Sequence, residues 1–108
     1  MKTLTHLESL AIIHGTHITD AGLEHLQGLT NLKWLKLNNV RVTAAGLKWL
    51  KSMANLTGLE LDETQITDTG LVQLTGLTRL QLFRCNGTQV TEVGKIRLRT
   101  ALRGCTIH

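Results

Sequence analysis

His14 and His17 stand three residues apart, and among the groups of this chain their spacing comes nearest to a metal site. Zinc asks for three or four converging donors, however, and no cysteine stands beside the pair. The two read as solvated turn histidines, and His6, His25 and His108 fall on other parts of the chain. Cys85 and Cys105 occupy positions that leucine holds elsewhere, which suits small buried hydrophobes. Ser9 and Ser52 are the only serines, and neither sits in a nucleophile motif. The glycines are spread singly along the chain, so no phosphate-cradling loop is formed. The chain therefore reads as no enzyme, and no cofactor or metal is expected.

The charges say more. Lys95, Arg99 and Arg103 are four apart, a stripe on one helical face with Arg97 beside it. Such a stripe can be a polyanion footprint. More often it is a solvated face, and helix C-termini favour cations in any case. No aromatic residue interleaves it, so a base-stacking platform is not supported and nucleic acid is disfavoured. The formal net charge of +4 and a pI near 9.5 are mild.

The 108 residues suffice for one domain, 1–108, with a modest core. Apolar residues make up 42%, yet Trp34, Trp49 and Phe83 are the only aromatics, so leucine must build the interior by regular stacking. Two cysteines are too few for a disulfide scaffold. No apolar run approaches the ~20 residues of a membrane span, and no signal-peptide core follows Met1. Cytoplasmic residence with two free thiols is the expectation.

The elements that position these residues repeat. Ile18-Thr19-Asp20-Ala21-Gly22-Leu23 returns as Val42-Thr43-Ala44-Ala45-Gly46-Leu47, as Ile66-Thr67-Asp68-Thr69-Gly70-Leu71 and, altered, as Val90-Thr91-Glu92-Val93-Gly94-Lys95. The copies start 24 residues apart, and a fixed period of that size means a solenoid. Ahead of each copy run leucines three apart that close on a two-residue step: Leu4, Leu7, Leu10 and Ile12, then Leu29, Leu32, Leu35 and Leu37. Met53, Leu56, Leu59 and Leu61 repeat the pattern, as do Leu77, Leu80, Phe83 and Cys85. The closing step has the period of a strand. Strands are predicted near Leu10–Ile12, Leu35–Leu37, Leu59–Leu61, Phe83–Cys85 and Cys105–Ile107. The first turn, at Ile13-His14-Gly15, carries one extra residue.

A helix start follows each strand. Thr19, Thr43, Thr67 and Thr91 suit N-caps. Asp20, Asp68 and Glu92 place carboxylates where the helix dipole favours them. Gly22, Gly46, Gly70 and Gly94 are poor helix formers, so close approach of neighbouring coils is the better account of them. Leu23 with Leu26, Leu47 with Leu50 and Leu71 with Leu74 turn inward.

The frame Leu-x-x-Leu-x-Leu-x-x-Thr-x-Ile-Thr-Asp-x-Gly-Leu resembles the leucine-rich repeat family. It is most similar to the cysteine-containing subclass and its bacterial relatives with threonine in place of cysteine. The resemblance implies an α/β fold, a right-handed solenoid with a parallel β-sheet on the concave face and short helices on the convex one. It also implies protein–protein recognition, usually on the concave side. Thr64 and Thr88 hold the family's ladder position, where a buried polar side chain serves the backbone of the adjoining turn, and Thr16 is expected to do so too. Val40 leaves that rung unmade. About four repeats are followed by a helix over Gly94–Leu102 and a last strand. No polar cap precedes Leu4, so the chain reads as the C-terminal part of a longer array, or as a small array that pairs into a homodimer through its N-terminal edge.

Stacking the coils sends three columns outward: Ser9, Trp34, Gly58, Leu82 and Gly104; Ala11, Lys36, Glu60, Arg84 and Thr106; Ile13, Asn38, Asp62, Asn86 and His108. Lys36, Glu60 and Arg84 should form a ladder of alternating sign. Gly58 should leave a notch between Trp34 and Leu82, apolar groups of the kind that mark a contact face. Cys105 should lie beside Phe83 and Cys85 beside Ile107, a diagonal too long for a disulfide. Trp49 falls on the convex side. The reading is a non-catalytic protein-binding module whose concave face carries Trp34, Lys36, Asn38, Glu60, Asp62, Leu82, Arg84 and Asn86. The alternatives are a purely structural terminal segment of a larger protein, or a weak polyanion binder using the basic stripe.

Overall fold

Each two-residue leucine step forms a three-residue strand, because alternation sends its central side chain inward and its neighbours outward. A computed structural model describes residues 7–11, 19–26 and 28–108. It places β1 at Ser9–Ala11, β2 at Trp34–Lys36, β3 at Gly58–Glu60, β4 at Leu82–Arg84 and β5 at Thr106–Ile107. The strands form one parallel sheet in chain order. The readings on Leu4, His6, Ile12, Ile13, His14, Thr16 and His17 lie outside the described residues.

β1–β4 sit one residue earlier than predicted, with the same inward set among the described residues, while β5 falls within its predicted span. Leu35, Leu59 and Phe83 are completely buried and lie side by side in the register. Leu32 with Leu56, and Leu37 with Leu61, add further buried tiers. Each such leucine is worth ~1.5–3 kcal/mol once buried, and one coil has nothing to bury it against. The stack is therefore the folding unit.

The convex elements are less regular. α1 spans Asp20–Glu24, and α2 spans Asp68–Leu71 and runs on into a 3-10 turn at Val72–Leu74. The second coil carries a nine-residue 3-10 helix, Ala44–Ser52, and α3 covers Glu92–Ala101. Leu23, Leu47, Leu50, Leu71 and Leu74 face the core as expected, while Leu26 is only half-buried. Among the described residues no helix is long and apolar enough to cross a membrane.

The glycines do mark close approach between coils. A Cβ on Gly70 would lie 2.8 Å from both Cα and Cβ of Ala44 in the preceding coil. On Gly46 and Gly94 it would meet the carboxylates of Asp20 and Asp68. Those carboxylates bridge coils. Asp20 accepts the amide of Thr43 at 2.8 Å and its hydroxyl at 2.5 Å, and Asp68 does the same for Thr91 at 2.7 and 2.5 Å. The Thr91 hydroxyl, and then its amide, hold the Asp68 carboxyl below the usual carboxylate range. Ala44 stands where the second coil would need an aspartate, so the next junction lacks this clamp.

Two expectations about threonine change. Only Thr43 and Thr91 cap their helices with the side chain, accepting from Ala45 at 3.3 Å and Gly94 at 3.4 Å. Thr19 and Thr67 make no such bond. Thr64 and Thr88 donate within their own coil, to the carbonyls of Leu61 at 2.7 Å and Cys85 at 2.6 Å. The reason is the turn between: Glu63 and Gly87 adopt φ of 58° and 74°, which folds the threonine back beneath its own strand.

Candidate functional site

On the concave face, the middle strands carry the outward residues in the predicted order. Trp34, Gly58 and Leu82 align across β2, β3 and β4, as do Lys36, Glu60 and Arg84. The contacts within these columns differ from the expectation in two ways, and both follow from Trp34.

The notch at Gly58 is filled. A Cβ there would come within 2.1 Å of the Trp34 ring, so the indole lies over the glycine in the space that a side chain would need. Its Nε1 donates to Glu60 Oε2 at 2.9 Å, which fixes the ring's tilt. Trp34 and Leu82 are both half-buried rather than fully open.

The charge ladder is made on one side only. Glu60 turns toward Trp34 and Arg84, whose Nε stands 4.0 Å from Glu60 Oε1, and no ion pair joins Glu60 to its register partner Lys36. Arg84 pairs more closely with Asp62, at 3.1 Å. With 43% of its side chain exposed, this pair is screened and worth ~0–1 kcal/mol at most.

Asn38, Asp62 and Asn86 form the third outward column, and the first two also staple the stack. Asn38 Oδ1 accepts the amide of Asp62 at 2.8 Å, and Asp62 Oδ1 accepts the amide of Asn86 at 2.7 Å. Asn38 Nδ2 also reaches Glu60 Oε1 at 3.5 Å. Trp34, Asn38, Glu60, Asp62 and Arg84 are thus one connected network, with Asn86 exposed at its rim.

β5 corrects the expected columns. Phe83 pairs with Ile107 and Leu82 with Thr106, and the amide of His108 donates to the Phe83 carbonyl at 2.9 Å. The strand has kept the 24-residue step, which lays Ile107 beside Phe83 in the core. Thr106 therefore continues the column of Trp34 and Leu82, and Gly104 precedes the strand. Cys85 and Cys105 are free and buried as read, although Cys105 does not sit beside Phe83. Burial pushes the Cys105 thiol up to about 11, and it raises Cys85 as well.

The basic stripe is not one surface. Arg103 lies beyond the end of α3, and Arg99 is engaged within the fold. Its Nη1 pairs with Glu92 at 3.2 Å, and its Nη2 donates to the carbonyl of Ile107 at 3.3 Å, on the outer side of β5. Arg97 instead lines a convex cavity of about 230 Å³ with Leu71, Val72 and Leu98. Trp49, also convex, is half-buried against the core with the Lys48 ammonium 4.8 Å above its ring. No group of three or more histidine, cysteine or acidic residues converges among the described residues.

Neither a family profile nor a curated protein matches the chain by sequence. In structure it is similar to an internalin from Listeria monocytogenes, with a TM-score of 0.62 and 22% identity, covering 96% of this chain and 35% of that one. It is also similar to a leucine-rich-repeat protein from Leptospira interrogans, with a TM-score of 0.56 and 20% identity, covering 79% of this chain and 27% of that one. The chain matches about a third of the length of these structures. Identities this low speak for the fold alone, and they agree with the stacked parallel strands, the inward leucines and the convex helices: the chain is a leucine-rich-repeat solenoid.

Proposed function

We propose that this solenoid is a non-catalytic protein-binding module that receives its partner on the concave sheet. Trp34 and Leu82 serve as apolar anchors, Lys36, Glu60 and Arg84 orient the partner, and Asn38, Asp62 and Asn86 form the polar margin. The observation that carries this reading is the pre-organisation of the face. Trp34 is pinned to Glu60 at 2.9 Å and Arg84 to Asp62 at 3.1 Å before any partner arrives. Side chains that are already ordered lose less entropy on binding, and aromatic and arginine side chains are the usual anchors. The fold supports the same reading, since leucine-rich repeats are generally interaction domains.

The test is a pull-down with the chain as bait, followed by affinity measurements on the captured protein. Trp34→Ala and Arg84→Ala should each cost ~2 kcal/mol or more of binding, whereas Lys48→Ala and Lys51→Ala on the convex side should cost far less. The reverse order would refute the concave assignment.

A further inference from the structure

The acidic groups of the concave face are already engaged. Glu60 Oε2 takes the Trp34 indole, and Oε1 faces Asn38 and Arg84. Asp62 Oδ1 takes the amide of Asn86, and Oδ2 takes Arg84. All four carboxylate oxygens thus meet a donor of the chain itself. Their side chains are correspondingly covered, Glu60 being 13% and Asp62 16% exposed.

The cations are not covered to the same degree. Arg84 is 43% exposed and uses only Nε, so among the described residues its two terminal nitrogens make no hydrogen bond. Those nitrogens are the fork that takes a carboxylate side-on. Lys36 is half-exposed and forms no ion pair among the described residues, its register partners being Ala11 and Glu60. What the face offers a visitor is therefore two donor-only heads beside the Trp34 ring and Leu82.

We infer, resting on the concave reading above, that the partner segment is acidic as well as apolar: it brings two carboxylates to Lys36 and Arg84 and an apolar edge to Trp34 and Leu82. Lys36 and Arg84 are two strands apart, which sets the carboxylates ~10 Å from each other. The apolar pair lies one two-residue step along the same strands, ~6.7 Å away, so the acidic and apolar groups occupy opposite edges of one narrow segment. A basic segment would find, among the described residues of this face, no carboxylate oxygen without a donor and would force like charges together, which disfavours it. Single-stranded nucleic acid supplies anions but needs successive stacking rings, and this face has one.

The experiment uses the full chain carrying Trp49→Phe, so that Trp34 is the only indole and its emission reports on the concave face. Its ligands are three short synthetic peptides of equal length and leucine content, bearing glutamate, glutamine or lysine at the polar positions, and a single-stranded DNA oligomer. The glutamate peptide should bind at least about tenfold more tightly than the glutamine peptide and lose affinity with salt. Lys36→Gln and Arg84→Gln should each weaken it severalfold, with unchanged circular dichroism. Equal binding of the glutamine or lysine peptide, or no binding of the glutamate peptide, would overturn the acidic partner and leave the concave site standing. Tighter binding of DNA than of the glutamate peptide would overturn it in favour of a polyanion. A glutamate peptide that responds to Arg97→Gln and ignores Lys36→Gln and Arg84→Gln would remove both this inference and the concave reading.

Discussion

Gly70→Ala tests whether neighbouring coils touch backbone to backbone. The new methyl would sit 2.8 Å from the Cα and Cβ of Ala44, and 3.0 Å from Leu47 Cδ1. No rotation of a side chain can relieve contact with a backbone atom, so the coils must part, and overpacking of this kind costs ~1–3 kcal/mol. Alanine also gains ~1 kcal/mol over glycine inside a helix, which masks part of that cost. Gly76→Ala is the matched control. Nothing lies within 4 Å of a Cβ there and its φ is not positive, so the exchange should be neutral or stabilise by ~0.4–1 kcal/mol. Subtracting the two isolates the clash. Urea melts followed by circular dichroism should place Gly70→Ala below Gly76→Ala by ~1–3 kcal/mol, or ~4–8 °C per kcal/mol in a thermal scan. A Gly70→Ala protein as stable as Gly76→Ala would refute the close approach as the reason for this glycine.

Phe83 is completely buried and Leu82 is half-buried on the opposite face, so Phe83→Ala should cost ~3–5 kcal/mol and Leu82→Ala much less, by denaturant melts. The Cys105 thiol, raised from 9.0 to about 11, contributes stability that is full below pH 9 and lost as pH rises through 11, because only the unfolded thiol ionises easily in that window. Urea midpoints should therefore fall between pH 9 and 11, and fall less in Cys105→Ala. Thiol titration should find two reactive groups after unfolding without reductant, consistent with two free cysteines.

What could be read from the sequence was whatever recurs with a fixed count. The two-residue step determines which side of the sheet Phe83 and Leu82 take, and the period determines the order of the strands. Placing Cys105 beside Phe83 shortens the last step by two residues, whereas counting 24 from Phe83 lands on Ile107, its partner in the sheet. Contacts that join different coils were harder to foresee. Asp20 and Thr43 each have a sufficient local explanation as helix-start residues, and nothing local says that they bond to each other. The two-residue alternation marks Trp34 as an outward residue and no more. That it folds sideways over Gly58 depends on a rotamer that the neighbouring strand selects. Glu63 at φ 58° carries no sequence signal, although Asn39 and Gly87, which hold the same turn position, do.

The bond from Arg99 to the Ile107 carbonyl has a consequence for how copies of the chain can meet. A sheet of parallel strands is directional, with β1 at one end and β5 at the other. Two copies meeting through β1 alone form a closed pair about a two-fold axis, and growth stops there. Copies joined β5 to β1 would not close, and each addition would present the same edge again, which is how a filament grows. The Arg99 guanidinium, held by Glu92, already occupies the Ile107 carbonyl, so a strand laid against the outer side of β5 would have to compete with it.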